Sequence, residues 1–208
     1  MDARIISLRE SKFCLALLLV LASPAMADSG RCLVESAREQ IGVTVLYDSG
    51  YRRLPYPNGD VPQDRGVCTD VLIRAYRQLG VDLQVRVHED MSAAWRAYPK
   101  NWGLSRPDSN IDHRRVPNLG TFFARKGKSL PVSRNPKDYQ PGDLVTWRLP
   151  SGVPHIGIVS DRKTAVGVPL VIHNIGQGTQ EEDSLFAFTV TGHYRYAPED
   201  LRPCGRSR

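Results

Sequence analysis

Close pairs of metal ligands are absent from this 208-residue sequence: it has no CxxC and no HxH, and its five histidines stand singly. That argues against a zinc site built on one short motif, where Cys and His ligands recur at fixed spacing. No zinc-finger spacing, RNA-binding aromatic motif or heptad repeat occurs, and the 28 Lys and Arg form no long basic run. A formal net charge of +6 therefore suits an anionic partner such as a cell-wall polymer without pointing to nucleic acid. Long apolar runs are missing too. The N-terminal one, Phe13 to Ala22, falls short of the ~20 residues that span a bilayer, and no later stretch reaches that length.

What is present begins with a leader. Arg4, Arg9 and Lys12 precede the apolar run, and Ala25-Met26-Ala27 supplies the small residues of a signal-peptidase site. The expected organisation is a signal peptide over residues 1–27 and a single domain over 28–208, exported to the periplasm or secreted, with no transmembrane anchor in the mature chain. Removing the leader takes Cys14 away and leaves Cys32, Cys68 and Cys204 in a compartment where disulfides persist. One of the three must stay unpaired. Cys32 and Cys204 sit near the two mature ends, which often lie close together, so a Cys32–Cys204 bond is expected. A Cys32–Cys68 bond is the alternative.

The stretch from Gly66 to Gly80 organises the rest. Val71, Leu72, Ala75, Tyr76 and Leu79 recur at three- and four-residue intervals, the pattern of an amphipathic helix that Gly80 stops. Cys68 then falls in the first turn, where unpaired N–H groups and the helix dipole favour a thiolate. Without a base nearby, a lone cysteine is equally a small core residue.

Elsewhere, Leu33, Val34, Ala37 and Ile41 suggest a first helix and Val43 to Tyr47 an extended piece. Residues 48–66, rich in Gly, Pro, Asn and Asp, form an irregular segment able to carry binding groups such as Tyr56. Residues 81–98 fit both a strand and a helix, and the longer helical register with Asp82 as cap favours the helix. Trp102 to Pro117 reads as a polar loop, in which Asp112, His113, Arg114 and Arg115 could bind a carboxylate. Leu119 to Arg125 suggests a short helix. Four apolar runs then follow: Asp143–Trp147, His155–Val159, Leu170–His173 and Phe186–Val190. With no helix between them they predict an antiparallel meander packed on the N-terminal helices, an α+β fold. His155 and His173 lie at the edges of two of these strands, where a ring can be held rigidly with one nitrogen facing a partner. A thiol, a base and a group orienting that base are what nucleophilic acyl transfer requires.

The segments containing Cys68, Pro141-Gly142-Asp143-Leu144-Val145, His155-Ile156-Gly157-Ile158-Val159 and Val171-Ile172-His173-Asn174 resemble, in order and spacing, the NlpC/P60 cysteine peptidases of the papain-like group. The fuller runs YPNGDVPQDRGVCTDV and NIDHRRVPNL resemble a family of exported bacterial proteins catalogued as a domain of unknown function. The resemblance spans about residues 34 to 196. It implies a papain-like fold, Cys68 as nucleophile, His155 as base and His173 as orienting group, with peptidoglycan peptides or another anionic cell-envelope substrate and no cofactor. Asp70 and Tyr56 join residues 112–115 as candidate substrate contacts. The peptidases usually carry Asp before the cysteine and Ser-Gly after it; here Val67 precedes and Thr69-Asp70 follow, so their substrate contacts do not transfer. Asn174 is a rival to His173 as the orienting residue. Two other functions fit the same residues: a zinc site of Cys68, His155 and His173, and a non-catalytic cell-wall binding module. A Cys68–His155 ion pair would lower the thiol pKa below its usual ~8.5.

Overall fold

A computed structural model describes residues 24–204. The expected leader lies outside the described residues except for its last four, which form the opening turn of α1 (Pro24–Arg38). Cys32, Leu33, Val34 and Ala37 bury one face of that helix; Ile41, expected to extend it, is exposed beyond its end. β1 (Leu46–Tyr47) pairs in parallel with β2 (Arg65–Gly66), so the intervening loop returns the chain to the entrance of α2 (Cys68–Gln78). Gly80, with φ 85°, ends the turn after α2. α3 (Leu83–Ala93) opens with the Asp82 carboxylate accepting from the Gln84 amide at 3.0 Å, the cap that favoured a helix. It breaks at Ala94 instead of reaching residue 98, and one 3₁₀ turn, Trp95–Ala97, follows. α4 (Val116–Lys126) completes the helical half.

The second half is a sheet of β3 (Lys128–Leu130), β4 (Leu144–Arg148), β5 (Pro154–Lys163), β6 (Pro169–Asn174), β7 (Thr179–Glu182) and β8 (Thr189–Arg195). Its order is β3-β8-β4-β5-β6-β7 with every pairing antiparallel, so β4 to β7 form a meander and β8 returns to the far side of β4. The fold class is α+β, as the run of helices followed by strands implies. One expected strand moves: Phe186 and Ala187 lie in the turn before β8. The Leu185 carbonyl there accepts from the Trp147 indole at 2.9 Å, and Phe186 packs edge-on against Tyr139.

Strand alternation divides the sheet into two apolar faces. Leu144, Ile156, Ile158 and Ile172 pack against the helices, whereas Val145, Trp147, Val159 and Val171 pack with Tyr139 and Leu185 on the other side. α1 crosses close to the sheet at a point that only glycine allows. A Cβ on Gly30 would stand 2.3 Å from the Pro141 carbonyl oxygen, and the facing Gly142 adopts φ 84°. The Cys32–Cys204 disulfide forms as expected, with Cα atoms 5.0 Å apart, and ties α1 to the C-terminal segment. Among the described residues Cys68 is the free cysteine.

Candidate active site

Cys68 is the first residue of α2 and is buried. The helix start is fixed by Asp70, whose Oδ2 accepts from the Val67 amide at 2.7 Å. The same carboxylate receives a two-pronged bond from Arg114, Nε to Oδ1 and Nη2 to Oδ2, each 2.9 Å. Thr69 Oγ1 donates to the Arg114 carbonyl at 3.2 Å, so the turn at Asp112–Arg114 is bolted to the first turn of α2. Asp70 and Arg114 engage each other in the interior, both nearly fully buried, so neither is free to meet a substrate. Asp112 and His113 are buried as well, and Arg115 lays its guanidinium over the Trp102 ring at 4.1 Å. Tyr56 is exposed and meets the His88 ring edge-on at 5.3 Å. Among the described residues no hydrogen bond joins Tyr56 or His113 to Cys68. The polar cluster at 112–115, expected as a carboxylate-binding loop, is thus mostly an internal network.

The two histidines do come together. His155 and His173 fall on the sheet face that carries Trp147, with His155 Nε2 and His173 Nδ1 2.7 Å apart. Gly157 lies two residues past His155 on β5, beside His173 of β6. A Cβ there would stand 2.6 Å from Val171 Cγ1 and 3.1 Å from His173 Cβ, so the bare backbone leaves room for the second imidazole. Alternation sends Asn174 the other way, where its Nδ2 donates to the Gly66 carbonyl at 3.1 Å and holds β2 beside the cysteine. Between the rival orienting residues, therefore, it is His173 that reaches His155. The outer nitrogen of His173 meets Glu182 Oε2 at 3.0 Å and Ser184 Oγ at 3.2 Å.

Cys68 packs on the helix-facing side of β5 with Ile156 and Ile172, whereas the two histidines lie on the Trp147 side. The β5–β6 ladder holds at Ile158–Ile172 and Val159–Val171; nearer the strand start, the Ile156 amide bonds the Cys68 sulfur. That amide belongs to the residue after His155, but no hydrogen bond joins the Cys68 and His155 side chains among the described residues. Burial pushes the thiol up to about 12; the Ile156 and Thr69 amides pull the other way, and the Asp70 charge adds to the rise. Burial pushes His155 down to about 3, aided by His173. The expected resting thiolate–imidazolium pair is corrected accordingly: desolvation outweighs the helix N-terminus, and both groups rest neutral. Tyr47, opposite Gly66 in the β1–β2 pair, has its phenol pushed up to about 12 by burial and then by Cys68 and Asp70.

A cleft of about 530 Å³ opens between α4 and the β4–β8 edge. Its walls include Pro154, the neighbour of His155, and Trp147, its cross-strand partner, together with Thr121, Thr191 and Arg148. Among the described residues, one close group of possible metal ligands stands elsewhere: Asp28, Cys32 and Cys204, with both sulfurs in the disulfide. Both ring nitrogens of His173 already have partners within the protein.

Sequence comparison matches residues 34–196 to the family described as "Domain of unknown function (DUF1287)". The chain belongs to this family. "Uncharacterized protein YijF" of Escherichia coli (strain K12) is 59% identical over 170 residues, 82% of this chain and 83% of that protein. Among solved structures, NlpC1 from Trichomonas vaginalis aligns with TM-score 0.46 at 16% identity, covering 82% of this chain and 45% of that one. NlpC2 from the same organism aligns with TM-score 0.44 at 17% identity, covering 82% and 47%. The chain spans about half the length of those two structures. A family described as a domain of unknown function, matched over residues 34–196, is what the sequence motifs led us to expect.

Sequence reasoning missed Glu182 and Ser184, which meet the outer nitrogen of His173. Glu182 lies in the strand Thr179–Glu182, whose polar residues give no apolar alternation to read.

Proposed function

We propose that this protein is an exported thiol hydrolase that cleaves an amide bond, with peptidoglycan peptides as substrate, Cys68 as nucleophile, His155 as base and His173 as the group that orients it. The observation that carries this reading is the joined imidazole pair on β5 and β6, whose strand also sends the Ile156 amide to the thiol at the start of α2. In the resting state the thiol and imidazole are neutral. As the sulfur forms its bond to the amide carbonyl carbon, the thiol proton passes to His155. Backbone N–H groups at the start of α2 are suited to stabilise the oxyanion. His155 then returns the proton to the leaving amine as the C–N bond breaks, giving a thioester and a free amine. Water attacks the thioester with its proton taken by His155, releasing the acid and restoring the thiol. The cleft beside Pro154 and Trp147 has room for one arm of the peptide, and Arg148 at its wall suits a substrate carboxylate. The disulfide fits an oxidising compartment, and among the described residues no helix is long and apolar enough to cross a membrane.

The test is the thioester. Reaction of the full chain with soluble peptidoglycan peptides, acid quenching and peptide mapping should place an acyl adduct on Cys68. An adduct on another residue, or none under turnover, would count against the assignment. The buried neutral thiol also favours a second function, a wall-binding module without catalysis. That version would sediment with peptidoglycan and release no fragments.

A further inference from the structure

We propose that Glu182 is a positioning residue that fixes the proton arrangement of both histidines, extending the Cys68–His155–His173 set by a fourth member. The inference rests on the function proposed above only for its consequence in turnover; the proton arrangement follows from the contacts themselves.

The contacts form one line. His155 Nε2 meets His173 Nδ1 at 2.7 Å, and His173 Nε2 meets Glu182 Oε2 at 3.0 Å. A neutral imidazole has one N–H donor and one bare nitrogen, and an ionised carboxylate can only accept. The hydrogen bond to Glu182 therefore requires the proton of His173 on Nε2. That leaves His173 Nδ1 bare, so it accepts, and the bond between the rings requires the proton of His155 on Nε2. His155 Nδ1 is then the bare nitrogen, the one the proposed function uses as base. Each step is forced by the one before it. The carboxylate at the sheet edge thus selects the working tautomer of a histidine two hydrogen bonds away.

The surroundings agree with that assignment. Both histidines are buried, with relative exposures of 2% and 1%, so water cannot readily supply an alternative partner to their inner nitrogens. Glu182 is half exposed, its side chain at 49%, with one oxygen facing inward to His173. Ser184 Oγ, 3.2 Å from the same His173 nitrogen, can accept the same proton. Its hydroxyl can equally donate, so Ser184 alone does not fix the tautomer. When His155 takes a proton during turnover, the carboxylate also offsets the positive charge that spreads over the pair.

The direct experiment is proton-detected nitrogen NMR of the full chain with ¹⁵N-labelled histidine, reading which ring nitrogen of His155 and His173 carries hydrogen near neutral pH. The expected result is hydrogen on Nε2 of both rings in wild type, the same in Glu182→Gln, whose amide oxygen can still accept, and a mixture of tautomers in Glu182→Leu. Turnover of peptidoglycan peptides should fall about 10–100-fold in kcat for Glu182→Leu, with KM nearly unchanged and a smaller loss for Glu182→Gln. Hydrogen on Nδ1 of either ring in wild type would overturn the inference, and so would wild-type tautomers persisting in Glu182→Leu. The expected tautomers without any peptidoglycan turnover would support the relay while removing the proposed substrate.

Discussion

Desolvation decides the state of Cys68. A cysteine in the first turn of a helix is ordinarily the place to look for a low thiol pKa, yet burial raises this one to about 12, and the Asp70 carboxylate two residues on works in the same direction. Alkylation of the unliganded protein by iodoacetamide should accordingly be slow between roughly pH 6 and 8 and rise only on the alkaline side. A fast plateau near pH 5 would instead restore the resting ion pair. The Asp70–Arg114 pair is almost fully buried, with side-chain exposures of 3% and 1%. Removing one member leaves the other charge uncompensated, so Arg114→Met should lower the unfolding free energy by about 3–5 kcal/mol. Urea denaturation measures this; a change near zero would mean the pair does not hold the start of α2. The identity of this partner could not be read from the sequence. A cluster such as Asp112-His113-Arg114-Arg115 has the same composition whether it faces solvent or folds inward, and only the fold shows that Arg114 meets Asp70.

Among the elements, α3 and α4 are clamped by a single buried carboxylate. Asp90 accepts from Arg125 Nε at 2.7 Å and from the Tyr98 hydroxyl at 2.7 Å, and Lys126 Nζ stands 3.0 Å away. Arg125 foremost holds the Asp90 carboxyl well below the usual carboxylate range. Its contribution is present above the ordinary value of 3.8 and is lost as pH falls through the depressed one. Asp90→Asn should cost about 1–3 kcal/mol near neutral pH, measured by thermal or urea unfolding. An unchanged midpoint would show that the clamp is solvated away. Elements were legible where the apolar period was clean. The Cys68 helix has five apolar positions in register and a glycine stop, and three of the four expected strands lie where their apolar runs stand. β7 was invisible, because an edge strand reading Thr-Gln-Glu-Glu buries too little to leave a pattern. The Phe186 run misled for the opposite reason: its apolar residues cover the outer face of the sheet from a turn.

At the scale of the molecule, two buried histidines couple stability to pH. His113 and His155 are each pushed from 6.5 down to about 3, chiefly by burial. Between those values the unfolded chain binds protons that the folded one does not, so stability falls as pH drops from about 6.5 towards 3 and is fully present above. Urea midpoints measured across that window should decline, and His113→Gln should flatten part of the decline. A flat wild-type profile would contradict the burial of neutral imidazoles. The pairing of His155 with His173 was anticipated from strand edges and the motif order, while the direction of their protons depends on Glu182, nine residues further along the chain. The central claim, that Cys68 and His155 cleave an amide in the cell wall, is tested most directly by digesting purified peptidoglycan with the full chain and weighing the soluble fragments. The account predicts new peptide fragments in the wild type, the two products of each cut summing to the parent mass plus one water, and none with Cys68→Ala or His155→Ala. Fragments that persist in Cys68→Ala, or a wild-type digest identical to the untreated control, would contradict it.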